Sequence, residues 1–134
     1  LNKITNRAGD QSLQDNCVRL LDAWEEQGYL YMLTEICERG DLKTYIQDLV
    51  DNNQLTEEEF WKLFLEACLG VKHLHHNGLL HLDIKPSNFM ISSDLRVKLG
   101  DFGTALYLDE IVGTDISEGD CRYMAPELLA EAKI

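Results

Sequence analysis

Residues 81–88 read His-Leu-Asp-Ile-Lys-Pro-Ser-Asn, residues 101–103 read Asp-Phe-Gly, and residues 125–127 read Ala-Pro-Glu. Any one of these short motifs recurs by chance, but their ordered combination is far more specific. Taken singly, an Asp, a Lys or an Asn in a loop is more often a solvated surface group or a turn former. The ordered set therefore predicts one functional site, built from a loop and the segment that follows it.

Together the three motifs resemble a eukaryotic protein kinase, from the end of the αC helix through the activation segment. The resemblance implies an α+β, protein-kinase-like fold. Residues 1–36 would form the C-terminal part of the N-lobe, and residues 37–134 the hinge and the N-terminal part of the C-lobe. We therefore expect a single, incomplete protein kinase domain that ends shortly after the Ala-Pro-Glu motif, in which Glu127 is the structural glutamate.

The resemblance also assigns catalytic roles, and the residue types suit phosphoryl transfer, which needs positioning and charge neutralisation. Asp83 would orient the substrate hydroxyl and accept its proton. Lys85 would reach the γ-phosphate of ATP as a point charge. Asn88 and Asp101 would supply oxygen ligands for Mg²⁺, a hard cation.

Residues 29–37 resemble the strand that leads into the kinase hinge. Thr34 falls at the gatekeeper position, and the carbonyl of Glu35 and the amide and carbonyl of Cys37 would meet the adenine. Asp41 would lie near the ribose, and Met90 would form the floor under the adenine. Core packing explains Thr34 and Met90 equally well, and both interpretations can hold together.

Histidines offer an alternative metal site, because His73 and His76 have the spacing of one helix face. No nearby Cys or carboxylate completes a ligand set, so we do not expect metal binding there. By resemblance, His81 is the structural histidine of the catalytic loop and packs under Phe102.

Hydrophobic patterns predict the local elements around these motifs. Apolar runs at 17–23 and 29–36, separated by turn residues that include Gly28, indicate a β-hairpin. Asp41 is the predicted N-cap of one helix, and Thr56 with Glu59 forms a capping box that opens a longer one. Short strands are predicted at 89–91 and 97–99. The longer helix should end at Gly78, and its predicted apolar face comprises Phe60, Leu63, Phe64, Ala67, Cys68, Val71 and Leu74.

Composition excludes several other classes of protein. The 134 residues include 24 acidic and 12 basic side chains, a net charge of −12 that argues against nucleic-acid binding. No apolar run is long enough to cross a membrane, and residues 1–7 do not resemble a secretory signal. None of the four cysteines forms a Cys-x-x-Cys pair, so reduced thiols and a nuclear or cytoplasmic location are expected.

Two departures from the common kinase pattern narrow the resemblance. Leu82 stands where many kinases have the Arg that docks an activation-loop phosphate, so the loop should be ordered by its own contacts. Asp120 stands where a Thr commonly bridges the catalytic Asp and Lys. The triplet Glu-Gly-Asp at 118–120 is similar to the Wee/Myt group of cell-cycle inhibitory kinases, as are residues 35–38 and 81–83, and residues 22–25 resemble the fungal Wee-type pattern. That resemblance implies a protein substrate, the inhibitory tyrosine of a cyclin-dependent kinase, and negative regulation of mitotic entry.

Two alternatives stay open. Residues 85–88, Lys-Pro-Ser-Asn, are typical of Ser/Thr kinases, so the chain could belong to another Ser/Thr branch. The other alternative is a catalytically inactive, truncated kinase that acts as a binding module. The chain shows no Gly-rich loop and no lysine of the third kinase strand, so these 134 residues alone are expected to be inactive. With partners missing from both lobes, the helix face around Phe60, Leu63 and Phe64 should lie partly bare.

Overall fold

The computed structural model describes residues 16–110 and 120–126. Its first element is an antiparallel hairpin of β1 (Leu20–Glu26) and β2 (Tyr29–Thr34). Gln27 and Gly28 both have positive φ, as a tight two-residue hairpin turn requires. Trp24 stacks on Tyr31 across the two strands, with 5.4 Å between ring centroids. The predicted hairpin is confirmed.

The apolar run predicted that the hairpin begins at Cys17, but β1 begins at Leu20. Cys17 is buried, and the backbone of residues 16–18 pairs with Leu99 instead: Leu99 N donates to Asn16 O and Val18 N donates to Leu99 O, both at 2.8 Å. The side-chain amide of Asn16 also donates to Val97 O at 2.9 Å. Because buried backbone groups must find hydrogen-bond partners, this segment is fixed beside a distant strand before β1 starts.

Two helices follow, and their predicted N-cap residues are confirmed. In α1 (Leu42–Asp51) the Asp41 side chain accepts a hydrogen bond from Thr44 N, at 2.9 Å. In α2 (Glu57–His76) Thr56 accepts one from Glu59 N, at 3.1 Å. Helix α2 ends just before Gly78, whose φ of 71° suits the left-handed residue after a helix.

Two further short pairs of strands complete the described part of the chain. The two predicted short strands are present as β4 (Phe89–Ile91) and β5 (Val97–Leu99), and they pair antiparallel. β3 (Leu79–Leu80) pairs with β6 (Leu106–Tyr107), which the sequence did not predict. This pairing ties the end of α2 to the segment after Asp-Phe-Gly, and thereby holds both sides of residues 81–105.

The hydrophobic core lies where α1 and α2 pack on β4 and β5. Its buried residues are Cys17, Leu42, Leu63, Leu74, Leu79, Phe89, Ile91, Val97 and Leu99. Phe60 and Phe64 are 45% and 53% exposed, as predicted, but Leu63 is buried, which corrects the expectation for that residue. Leu63 points at the core, whereas the two aromatic rings stack on each other at the surface, with centroids 6.2 Å apart.

A buried carboxylate joins α2 to β5. Glu66 accepts a hydrogen bond from Val97 N at 2.7 Å and pairs with the guanidinium of Arg96 at 3.0 Å. Sequence analysis did not single out Glu66, because a lone acid within a helix normally faces water. The contact fixes the strand that precedes Asp-Phe-Gly against the longest helix.

The cysteines Cys17, Cys37, Cys68 and Cys121 all carry free thiols. Within residues 16–110 and 120–126, no helix combines the length and apolar character that a membrane span needs. The same part of the chain contains no cluster of metal-binding side chains formed by His, Cys, Asp and Glu.

Candidate active site

Asp83 lies at the centre of the candidate site, in the loop between β3 and β4. Lys85 Nζ is 2.6 Å from its Oδ2, and Asn88 Nδ2 donates to the same oxygen at 2.9 Å. Asn88 Nδ2 also donates to the Asp83 backbone oxygen at 2.8 Å. The Asp120 amide donates to the other carboxylate oxygen, Oδ1, at 3.2 Å. The structure thus brings three predicted site residues together and adds Asp120.

These contacts set the charge of the cluster. Partial burial by itself raises the pKa of Asp83, but hydrogen bonds from Lys85, Asn88 and the Asp120 amide outweigh it and lower the pKa below its usual value. The hydrogen bond to Asp83 raises the pKa of Lys85, and the charges of Asp120 and Asp101 add to this effect. At neutral pH the pair is therefore a carboxylate beside an ammonium group.

His81 stabilises the catalytic loop through both of its ring nitrogens. Its Nε2 lies 2.8 Å from Gly100 O, and its Nδ1 lies 3.3 Å from Asp83 N. A carbonyl oxygen only accepts and an amide only donates, so these contacts select the neutral tautomer that carries its proton on Nε2. The His81 ring also packs on Phe102, with 5.7 Å between centroids, as the resemblance implied.

Asp101 lies next to this cluster on a backbone that few residues adopt. It is exposed and left-handed, with φ 54° and ψ 66°. Gly100 just before it donates to Asn88 O at 2.8 Å, which joins the two predicted metal ligands through one backbone hydrogen bond. Left-handed non-glycine residues are strained and concentrate at functional sites. Leu82, which stands in the catalytic loop where many kinases have Arg, is the second such residue at this site, with φ 67°.

The predicted metal ligands have chemistry that suits a hard cation. The Asn88 amide nitrogen is engaged by Asp83, so the amide oxygen is the atom left to bind a cation. The Asp101 carboxylate is accessible to solvent and adds a second oxygen. Carboxylate and amide oxygens are the ligands that Mg²⁺ accepts.

The predicted nucleotide residues come together around the hinge. Thr34 ends β2, and the Glu35 carboxylate binds Lys98 Nζ at 3.0 and 3.1 Å. Lys98 is the cross-strand partner of Met90. An isolated antiparallel bridge pairs Met90 with Asp41. The residues predicted to contact the ribose and the floor of the adenine site are therefore neighbours, which the sequence could not show.

Two predicted nucleotide contacts already have partners in the structure. Cys37 O accepts a hydrogen bond from Gly40 N at 3.3 Å, so adenine would use the second lone pair of this carbonyl. The Asp41 carboxylate caps α1, and hydrogen bonds from Thr44 lower its pKa.

Burial raises the pKa of the Cys37 thiol, and the neighbouring acidic side chains add to that effect. The thiol is therefore protonated at neutral pH.

Two residues of the site were not indicated by the sequence motifs. Thr104 Oγ1 donates to His81 O at 2.8 Å, which fastens the segment after Asp-Phe-Gly to the catalytic loop. Arg122 binds Asp120 with two side-chain nitrogens, at 2.9 and 2.6 Å. The opposite charges two residues apart were a signal for the second contact. Glu118, Gly119 and Glu127, which carried part of the resemblance, lie outside the described residues.

The site therefore places a loop carboxylate and a lysine beside two side chains whose oxygen atoms suit a hard cation, with the segment that links β2 to α1 nearby. This arrangement defines the class as a protein kinase. The family model for the protein kinase domain matches residues 7–134. The chain belongs to the protein kinase family.

Known relatives point to one branch of that family. The chain is 42% identical over 116 residues to the mitosis inhibitor protein kinase wee1 of Schizosaccharomyces pombe. The aligned residues cover 87% of this chain and 13% of that protein. It is 34% identical over 135 residues to the mitosis inhibitor protein kinase SWE1 of Saccharomyces cerevisiae, covering 98% of this chain and 16% of that protein.

A third relative comes from an animal. The membrane-associated tyrosine- and threonine-specific cdc2-inhibitory kinase wee-1.3 of Caenorhabditis elegans is 39% identical over 117 residues, with 85% of this chain and 16% of that protein covered. The chain thus spans less than a fifth of the length of these three relatives.

Proposed function

We propose that this chain is part of the catalytic domain of a Wee-like protein kinase. The enzyme transfers the γ-phosphate of ATP to a protein hydroxyl, and its substrate is the inhibitory tyrosine of a cyclin-dependent kinase. The observation that carries the proposal is the Asp83 carboxylate, which is held by Lys85, Asn88 and the Asp120 amide. Such an enzyme delays entry into mitosis, and we place it in the nucleus or the cytoplasm.

Asp83 acts as the base and orienting group. Its lowered pKa keeps it ionised at neutral pH, so it can accept a hydrogen bond and then the proton from the substrate hydroxyl. Lys85 neutralises charge on the transferred phosphoryl group. Because the two side chains form an ion pair at 2.6 Å, the base and the phosphate-binding charge are positioned as one unit.

ATP and Mg²⁺ are the cofactors that the site residues fit. Asn88 and Asp101 would hold the metal ion, which neutralises phosphate charge when bound. Thr34, Glu35, Cys37, Asp41 and Met90 would surround the nucleoside. The support for this assignment is the bridge between Asp41 and Met90 and the contact of Glu35 with Lys98.

Support for the substrate comes from the relatives. Two are named mitosis inhibitor kinases, and the third is named as tyrosine- and threonine-specific and cdc2-inhibitory. The catalytic loop, with Lys-Pro-Ser-Asn at 85–88, is of the Ser/Thr type. We therefore propose tyrosine or dual specificity toward a cyclin-dependent kinase.

The test uses the full-length gene product that contains these residues, with labelled ATP, Mg²⁺ and a catalytically inactive cyclin-dependent kinase bound to its cyclin. Phosphotyrosine should form, and replacing the acceptor tyrosine by Phe should abolish it. Asp83→Asn should lower turnover by roughly 10²- to 10⁴-fold. Asp109→Asn, at an exposed acid after β6, is the matched control and should retain activity.

Each other outcome favours an alternative. Phosphoserine or phosphothreonine on other proteins, without labelling of the cyclin-dependent kinase, would place the chain in another Ser/Thr branch. A folded full-length protein that transfers no phosphate to any substrate would support the binding module.

A further inference from the structure

We propose that Arg122 is a positioning residue for the Asp83 carboxylate and that it acts through Asp120. The inference rests on the proposed kinase function and adds a residue outside the predicted catalytic set. Arg122 holds the Asp120 side chain in a two-pronged ion pair, so that Asp120 presents its backbone amide to Asp83 and keeps its carboxylate away from Lys85.

Distances within residues 120–122 define this arrangement. Arg122 Nε donates to Asp120 Oδ1 at 2.9 Å, and Nη2 donates to Oδ2 at 2.6 Å. The Arg122 backbone amide reaches Asp120 Oδ1 at 3.2 Å. Planar guanidinium groups match both oxygens of a carboxylate, which gives such pairs defined geometry. The described hydrogen bonds to the Asp120 carboxylate therefore all come from one residue.

The backbone amide of Asp120 contacts Asp83, whereas its side chain contacts Arg122. Its amide donates to Asp83 Oδ1 at 3.2 Å, while Lys85 and Asn88 occupy Oδ2. Asp120 O accepts from Tyr123 N at 2.8 Å and from Met124 N at 3.1 Å, which forms a turn after it. This turn and the Arg122 contacts fix the direction in which the Asp120 amide points.

Charge explains why the side chain needs to be held. Hydrogen bonds from Arg122 lower the pKa of Asp120 to about 2, and the charge of Lys85 adds to the shift. Lys85 and the Asp120 amide bind the two oxygens of the same Asp83 carboxylate, so the Asp120 side chain lies close to the Lys85 ammonium group. Without Arg122, that carboxylate would compete with Asp83 for the Lys85 ammonium group and draw it from its position beside the base.

The role of Arg122 is separable from folding. Its side chain is 72% exposed, and the described contacts of its guanidinium are to Asp120 and to the Tyr123 ring, 5.9 Å from the centroid. Substitutions at exposed side chains change stability little. Loss of turnover without loss of stability would therefore report positioning.

The experiment compares four variants of the full-length protein in the kinase assay above. Arg122→Gln should lower kcat by roughly 10- to 100-fold, the cost of misplaced catalytic groups, with an unchanged KM for ATP and an unchanged melting temperature. Arg122→Lys keeps the charge but not the fork, so its kcat should be intermediate. Lys62→Gln removes a positive charge from an exposed position on α2 and should leave kcat unchanged.

The decisive variant is the double substitution Asp120→Asn with Arg122→Gln. It removes the competing charge but keeps the backbone amide, so it should recover most of the turnover lost in Arg122→Gln. If Arg122 only packed on Tyr123, removing the Asp120 charge would recover nothing. Wild-type turnover in Arg122→Gln, or no recovery in the double variant, overturns the proposal.

A second readout does not depend on catalysis. Hydrogen exchange at the Asp120 amide should be faster in Arg122→Gln than in the wild type, because the hydrogen bond to Asp83 loosens. Unchanged exchange would overturn the positioning role. Wild-type protein that transfers no phosphate but shows the faster exchange in the variant would overturn the proposed function alone.

Discussion

The side-chain amide of Asn88 donates to both the backbone oxygen and the carboxylate of Asp83, at 2.8 and 2.9 Å. One nitrogen thereby closes a loop of six residues, and the amide oxygen is the side-chain atom that would bind a cation. The proposed metal ligand and the proposed base are thus coupled, and a change at one should be felt at the other.

We expect Asn88→Ala to impair both functions. It removes a ligand and frees the Asp83 side chain, so turnover should fall by roughly 10- to 100-fold, with a higher Mg²⁺ concentration needed for half-maximal rate. Steady-state kinetics across a magnesium titration measure both. The control is Asn52→Ala, whose amide caps the exposed end of α1. An unchanged magnesium dependence for Asn88→Ala would contradict its role as a ligand.

Gly70→Ala should destabilise the fold. A Cβ at this position of α2 would lie 2.6 Å from Asn16 O and 3.2 Å from Leu99 Cβ. Overpacking of this kind costs about 1–3 kcal/mol, although Ala favours helices. Urea unfolding of the full-length protein measures the loss. Lys62→Ala, exposed on the same helix, should stay within about 0.5 kcal/mol of wild type. A more stable Gly70→Ala variant would show that helix propensity outweighs this close approach.

The buried Glu66 should be needed for the stability of β5. Glu66→Ala leaves Val97 N without its partner, at a cost of about 1–3 kcal/mol in unfolding free energy. Glu66→Gln keeps an oxygen acceptor for that amide, so it should cost less, and it is the matched control. Equal losses in both variants, measured by thermal and urea unfolding, would assign the effect to the Arg96 ion pair instead.

Stability should fall in mild acid because of His73. Burial lowers the pKa of His73, and the charge of His76 adds to this effect. The unfolded chain therefore binds a proton more readily than the folded chain, and stability rises with pH through this window. Well above the usual histidine pKa of about 6.5, His73 is neutral in both the folded and the unfolded chain. As the pH falls below that value, the unfolded chain takes up a proton first, and the folded state loses stability.

Urea unfolding at pH 7.5 and pH 5.5 tests this prediction. His73→Leu should unfold with a smaller difference between the two pH values than the wild type. His75→Gln, at an exposed position two residues away on the same helix, should keep the wild-type difference. An equal pH dependence in His73→Leu and the wild type would remove His73 as the cause.

Local elements were predictable where a short-range cause acts. Asp41 and Thr56 cap their helices through hydrogen bonds three residues along the chain, and Gly78 ends α2 with a positive φ. The first hairpin follows from two apolar runs around the turn at Gln27 and Gly28. The predicted start of β1 was wrong because the backbone of residues 16–18 pairs with Leu99, far along the chain, before β1 begins.

The motifs alone determined the family and named the candidate residues, because Asp83, Lys85 and Asn88 are close in sequence and their chemistry dictates their spacing. Tertiary structure alone decided how those residues are held. The contacts of His81 with Gly100, of Glu66 with Val97 and of Asp120 with Asp83 join positions far apart in the chain. Such contacts leave no periodicity in the sequence, since each depends on one hydrogen bond that forms only after the helices and strands have packed.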